Sequence, residues 1–472
     1  MREVPMSHSD SRFLTTRRGF CASALTAAPL PLTAASQPTQ PGPAIVRKAY
    51  VAAPKPTWPR PGVDVAGTRA EIESRLSEIE RRHAGIVKFT GGELVRTMDD
   101  AQAWVKSLDR EATDGNLVIT ITSGSDGMVR AIGQSGLPTL LFSRPYAGHA
   151  WGSFSEFAQA GNKADVLASS DFDDLDVYVR IFYTIHSMRK NKLIVVVPGS
   201  KPSRESEEYS KHFGTRFQYM SYGDVTAAYD RVSEAAAAKE AERYAAGALR
   251  VVEATPDHVR RATRFYLGVK ELLARENAAG ITMDCLGGLN RRELPAYPCV
   301  AWSRLDDEGL FGVCQADLGC AMTQMLLTPF SGKPGYLFNV VIDTSRNEIV
   351  QSHCTAPTAM HGLGRPGAPY ILRTHLETND GAALQVLLPI GETVTVSRFL
   401  QPRRLAASTA EVIANVDSDS GCRTQIRTRV KDARKMLANF KGIVHRVTYY
   451  GDYTGPLEKM SRLMAFDLVH EM

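Results

Sequence analysis

Short apolar runs rich in valine, isoleucine and leucine alternate along this chain with amphipathic or alanine-rich stretches, the rhythm of an α/β protein. A first series predicts strands over residues 46–51, 85–89, 116–122 and 137–142, with helices over 69–82 and 99–109. A second series begins near Lys163. It predicts strands over 164–167, 192–197, 216–219 and 280–284, and helices over 174–188, 222–246 and 256–275, of which 222–246 is long and alanine-rich. Beyond Glu348 the texture changes to alternating Val, Ile, Leu and Thr interrupted by glycines, including 383–388 and 392–399, which predicts a β-rich C-terminal domain. The expected organisation is an α/β domain over 45–163, a second over 164–345 and the β-rich domain over 346–472. No Gly-x-Gly-x-x-Gly segment follows an early strand, so nothing predicts a dinucleotide site.

Residues 1–35 do not fit this rhythm. Thr15-Thr16-Arg17-Arg18-Gly19-Phe20 matches the Ser/Thr-Arg-Arg-x-Phe pattern of twin-arginine export signals. A short, weakly hydrophobic stretch over 21–32 follows, then Thr33-Ala34-Ala35 before Ser36, a small-x-small cleavage site, and a Pro/Gln-rich linker over 36–44. The stretch is too short to span a bilayer. The expected partner is therefore the twin-arginine translocation machinery, and the expected location is periplasmic or secreted, with no membrane attachment after cleavage.

At 472 residues, with 43% hydrophobic and 23% charged residues, the chain has ordinary globular composition, which excludes both a disordered chain and a membrane protein with several spans. Part of the net charge of +5 comes from Arg2, Arg12, Arg17 and Arg18, set against Glu3 and Asp10 in the leader. No lysine/arginine run points to nucleic acid. Past the leader lie Cys285, Cys299, Cys314, Cys320, Cys354 and Cys422, without a Cys-x-x-Cys pair. Buried structural thiols and one or two disulfides are both compatible with their apolar contexts.

Four segments carry a resemblance. Residues 281–357 contain ITMDCLGG, then YPCVAWSRLDDEGLFGVCQADLGCAMTQML, then GKPGYLFNVVIDTSRNEIVQSHCTAP, and the C-terminal part contains GIVHRVTYYGDYTGPLEKMSRLMAFDLV. Together they resemble the core and the closing strand and helix of the L-fucose/L-arabinose isomerase superfamily. The resemblance implies two Rossmann-like α/β domains followed by a β-rich C-terminal domain of the L-fucose isomerase type. It also implies a sugar or sugar derivative as partner, a divalent metal, usually manganese, and leaves room for a homo-oligomer. In that family the metal is held by two carboxylates and a histidine and assists proton transfer between C1 and C2 of an aldose. The corresponding positions here are Gln315, Asn339 and His445. An amide neither cycles a proton near neutral pH nor supplies negative charge to a hard cation, so ordinary fucose or arabinose isomerisation is not expected. Asp317, two residues beyond Gln315, is the nearby carboxylate that would serve with His445 in catalysis or metal binding; Asp343 stands near Asn339.

Other polar residues are candidates for substrate binding. His353, Arg373, His375 and Glu377 cluster in the C-terminal half, and His375 and Glu377 would share one face of a strand. The segment 144–151, which includes His149 and Trp151, follows a predicted strand and would suit stacking against a sugar ring. Asp306, Asp307 and Glu308 read as a solvated acidic turn. A glycoside hydrolase or lyase, needing two carboxyl groups across one bond, and a non-catalytic sugar-binding protein remain alternatives.

Replacing both arginines of the pair, Arg17→Lys with Arg18→Lys, is expected to strand full-length precursor in the cytoplasm. Fractionation followed by immunoblotting checks this, and normal periplasmic processing of the variant would refute the export assignment.

Overall fold

The computed structural model describes residues 41–440 and 443–472. The twin-arginine motif, the cleavage site and most of the linker lie outside the described residues. β1 (Ala44–Val51), β2 (Val87–Val95), β3 (Gly115–Thr120), β4 (Thr139–Ser143) and β5 (Ala164–Ala168) form a parallel sheet in the order β2-β1-β3-β4-β5. Its inner strand β3 is buried along its whole length, with Leu117, Val118 and Ile119 at its centre and the buried amide of Asn116 donating to Ser135 and Thr139. A second parallel sheet follows. It uses β6 (Lys192–Val196), β7 (Arg216–Met220) and, past a two-residue β8 (Arg250–Val251), β9 (Gly280–Met283) and β10 (Phe311–Cys314), in the order β10-β9-β6-β7.

The remaining strands are β11 (Tyr336–Asp343), β12 (Glu348–His353), β13 (Tyr370–His375), β14 (Asp380–Val386), β15 (Thr393–Gln401), β16 (Arg404–Asn415), β17 (Thr424–Val430), β18 (His445–Tyr450) and β19 (Asp467–Val469). The run β15-β18-β11-β12-β17-β16 returns to β15 through a β15–β16 pairing, closing an antiparallel barrel, and β19 adds to β16 in parallel. The hairpin β13–β14 forms a separate small sheet with β8. The fold is thus mixed α/β, with parallel sheets and a C-terminal antiparallel β-barrel. No described helix is long and apolar enough to cross a membrane.

Four expectations need correction. The strand expected to open the second series pairs with β4 and belongs to the first sheet. The antiparallel sheet begins with β11, ahead of Glu348. In both cases a strand's own sequence reports its burial but not its neighbour. The stretch 222–246 is two helices, Tyr222–Arg231 and Glu234–Gly247. Between them Val232 is extended, and the Ser233 side chain accepts the Ala236 N–H, so one serine with strong N-cap preference overrides a helix-forming run. The acidic turn is not solvated. Asp306 is buried and accepts the Gly312 N–H at 2.9 Å, while Asp307 accepts the backbone N–H groups of Thr358 and Ala359 at 2.7 Å. Burial pushes the Asp306 carboxyl well above the usual range.

The helix Leu318–Ser331 joins the layers. Nearly all of it is buried, and it packs against the helix Leu175–Lys190 on one side and β15 and β18 on the other. One apolar core consequently runs from Ile119 and Phe142 through Ile281 and Val313 to Met322, Leu326 and Val447. A second core, including Phe338, Ile349, Val394 and Ile426, fills the barrel.

Close approach of this helix to the barrel depends on Gly319, where an added Cβ would collide with the Phe399 carbonyl oxygen. Gly319→Ala is expected to destabilise the protein by about 1–3 kcal/mol through overpacking. A lowered denaturant midpoint with an unchanged slope is the expected readout.

Candidate functional site

β10 ends at Cys314, and the next two residues, Gln315 (φ 58°) and Ala316 (φ 52°), both adopt left-handed backbone. Two successive non-glycine residues in that region are strained, the kind of cost that concentrates at functional sites. The turn delivers Asp317 to the start of the helix Leu318–Ser331, where its Oδ1 accepts the Cys320 N–H at 2.9 Å. Its Oδ2 accepts from His445 Nδ1 at 2.9 Å and from Arg398 Nη1 at 2.5 Å. All three residues are buried. Burial alone would raise the Asp317 carboxyl, but the His445 hydrogen bond and the Arg398 charge overcome it and hold the group well below the ordinary range.

An ionised Asp317 accepts only, so His445 must donate from Nδ1, and in the neutral ring Nε2 is then a lone pair. Nε2 is buried without a hydrogen-bond partner. Asp317 therefore orients His445, and both its oxygens are already engaged, Oδ1 by the Cys320 N–H and Oδ2 by His445 and Arg398.

β11 pairs with β18 so that Asn339 lies opposite His445, which brings the two side chains onto one face. The His445 ring meets that of His353 edge-on, with centroids 5.7 Å apart. His353, Asn339, Gln315, His375 and Glu377 line one cavity of about 30 Å³ together with the thiols of Cys285, Cys299, Cys314, Cys354 and Cys422. Gln315 and Glu377 are exposed at its rim, whereas the histidines and thiols are buried. Burial, reinforced by His445 and His375, pushes His353 down to about 3 and keeps it neutral, and its Nδ1 contacts Thr355 Oγ1 at 3.0 Å. Burial also lowers His375.

Residues drawn from β10, β11, β12 and β13 thus meet at one place, but not every candidate joins them. β13 ends at His375, so Glu377 occupies the following turn instead of sharing a strand face with it. Arg373 is taken up by an ion pair with Glu253 and does not line the cavity. His149 and Trp151 start the helix Ala150–Gln159, beyond β4 of the first sheet, in a cluster of rings with Trp58 and Tyr146. Asp343 caps an exposed turn by accepting from Ser345. Sequence reasoning missed Arg398. The signal was available, since Arg398 follows Val394 and Val396 in the apolar phase of β15, where an unpaired charge would be costly.

The manganese that the resemblance implied does not fit these residues. Two of the three expected ligand positions are neutral amides, Asp317 is engaged by Arg398 and His445, and the described residues offer no group of three or more His, Cys, Asp or Glu side chains able to hold a metal ion.

Asp317→Asn removes the charge that Arg398 is buried against, and is expected to cost about 3–5 kcal/mol of stability. Urea denaturation of wild type and variant at neutral pH checks this; a loss below about 1 kcal/mol would show that the pair is solvated.

No family model matches the sequence. Among curated proteins, the sulfoquinovose isomerase of Alkalicoccus urumqiensis is 28% identical over 142 residues, which cover 30% of this chain and 31% of that one. The match thus spans less than a third of the relative's length. Among solved structures, an ABC transporter substrate-binding protein from Desulfitobacterium hafniense aligns over 64% of this chain and 74% of its own, at 12% identity and a TM-score of 0.18, a likeness too slight to bear on the fold. The curated match supports a distant relationship to sugar isomerases.

Proposed function

We propose that this chain is an exported, sugar-directed protein of isomerase-like descent, in which His445 moves a proton on a sugar or sugar derivative without a manganese site. The observation that carries this reading is the buried Nε2 of His445, unpartnered while Asp317 fixes Nδ1. Nε2 is then a base. The imidazolium formed when it takes a proton is offset by the Asp317 carboxylate, which also holds the ring in orientation. Gln315 and Asn339, as amides, each offer a donor and an acceptor to sugar hydroxyls. The sulfoquinovose isomerase match supports sugar chemistry, the twin-arginine motif supports export, and the β2-β1-β3-β4-β5 order supports a doubly wound α/β reading of the first sheet, of the flavodoxin-like order. A glycosidase is less well supported, because Glu377 is the single carboxylate among the cavity residues.

A sugar-binding protein without turnover is the second reading. It is favoured by Gln315 and Asn339, amides that cannot cycle a proton at the two positions where the resemblance would place carboxylates; the cavity volume of about 30 Å³, far below the roughly 300 Å³ or more of an ordinary small-molecule site, bears on both readings alike. Sugar entry on either reading requires the Gln315 and Glu377 rim to open, and on the first reading the sugar must also pass His353 to reach His445, which lies beside it and does not line the cavity.

Incubating the purified protein in D2O with aldoses, ketoses and their deoxy and sulfonated derivatives, followed by NMR, is expected to show deuterium entering beside the carbonyl of the preferred sugar. His445→Gln should lower that exchange by roughly 10² to 10⁴, and neither EDTA nor manganese should change it. L-Fucose and L-arabinose with added manganese should turn over far below the usual order of about 10 per second. Exchange abolished by EDTA would overturn the proposal, and sugar binding without exchange would establish the second reading.

A further inference from the structure

Most of the chain's thiols crowd into one place, and the proton-transfer reading makes no use of them. β9 and β10 are adjacent parallel strands with Met283 opposite Cys314, and Cys285 begins the short helix Cys285–Asn290 that follows β9 after Asp284. The sulfur atoms of Cys285 and Cys314 lie 3.1 Å apart, inside the ordinary contact distance of two unbonded sulfurs. Both residues are buried in the protein and both line the cavity.

We propose that Cys285 and Cys314 form a dithiol that hydrogen peroxide, or another hydroperoxide of similar size, oxidises to a disulfide at the base of the Gln315 turn. The two sulfurs are chemically unequal. A hydrogen bond from Cys314 outweighs burial and lowers the Cys285 thiol, aided by the backbone N–H groups of Gln315 and Leu286; the same contact and burial raise Cys314. In this dithiol Cys285, at the start of the segment after β9, serves as the nucleophile and Cys314, 3.1 Å away, as the resolving partner. The cavity selects the oxidant, since about 30 Å³ admits one or two water-sized molecules and excludes a peptide disulfide.

In the first step the Cys285 thiolate attacks one peroxide oxygen. The O–O bond breaks, the leaving hydroxide takes a proton to become water, and Cys285 is left as a sulfenic acid. In the second step Cys314, giving up its proton, attacks the Cys285 sulfur. The S–O bond breaks and a second water leaves. Two thiols lose two electrons, and one peroxide becomes two waters. Because Cys314 immediately precedes Gln315, the new bond would clamp the left-handed turn that carries Gln315 and Asp317.

The experiment treats the reduced full-length protein with equimolar peroxide, alkylates the remaining thiols, and maps disulfide-linked peptides by mass spectrometry without reduction. The expected result is a Cys285–Cys314 linkage, formed at least about tenfold faster with hydrogen peroxide than with glutathione disulfide. Cys314→Ser should stop at a sulfenic acid on Cys285 that dimedone traps, and Cys285→Ser should leave Cys314 unreacted. Linkage among Cys299, Cys354 and Cys422 instead, equal rates with both oxidants, or thiols that react only in urea would each overturn the proposal. If either variant fails to fold, the linkage map and oxidant comparison on the unmodified protein decide the matter alone.

Discussion

A buried carboxylate held between a guanidinium and an imidazole organises the functional end of this protein. Taking the Asp317 and Arg398 charges out of water is expensive, and the expense is recovered only when several donors converge at good geometry. Here they do. One oxygen of Asp317 caps the helix Leu318–Ser331, whose N-terminal dipole favours an anion, and the other receives both Arg398 and His445. The three residues come from a turn after the second sheet and from two barrel strands, so the ion pair fixes the register between parts of the fold that are remote in sequence. His445 inherits its tautomer and its unpartnered Nε2 from that arrangement.

The parallel sheets were legible from short aliphatic runs in their inner strands, such as Leu117-Val118-Ile119 in β3 and Leu193-Ile194-Val195-Val196 in β6. Pairing was less legible. β5 reads like the strands on either side of it in sequence, and only the packed sheet decides that it joins β4. The same holds for β11, which is set off from the helix before it by Gly332-Lys333-Pro334-Gly335 and whose partners, β12 and β18, lie ahead in the chain. Helix boundaries failed where one polar residue outweighed a favourable run, as Ser233 does after Val232.

At the site, the motif positions were legible and their chemistry was not. Gln315, Asn339, His353, His375 and Glu377 could be singled out as residue types at particular places, and they line one cavity. That Asp317 is already engaged, and that Arg373 is spent on Glu253, depends on neighbours 81 and 120 residues away, which no local spacing reports. The crowding of five thiols escaped notice for the same reason, since their separations in sequence look unrelated.

The helix Leu318–Ser331 has a consequence for how the chain reaches this state. Having no solvent face, it lacks the polar stripe that lets an ordinary helix dock early and wait. Until β15 and β18 are made, its barrel-facing side has no cover, and those strands emerge from the ribosome well after it. During synthesis, the second sheet therefore spends an interval with an uncovered apolar helix along one flank. Apolar surface left bare in that way favours aggregation, a hazard that the stability of the finished fold does not report.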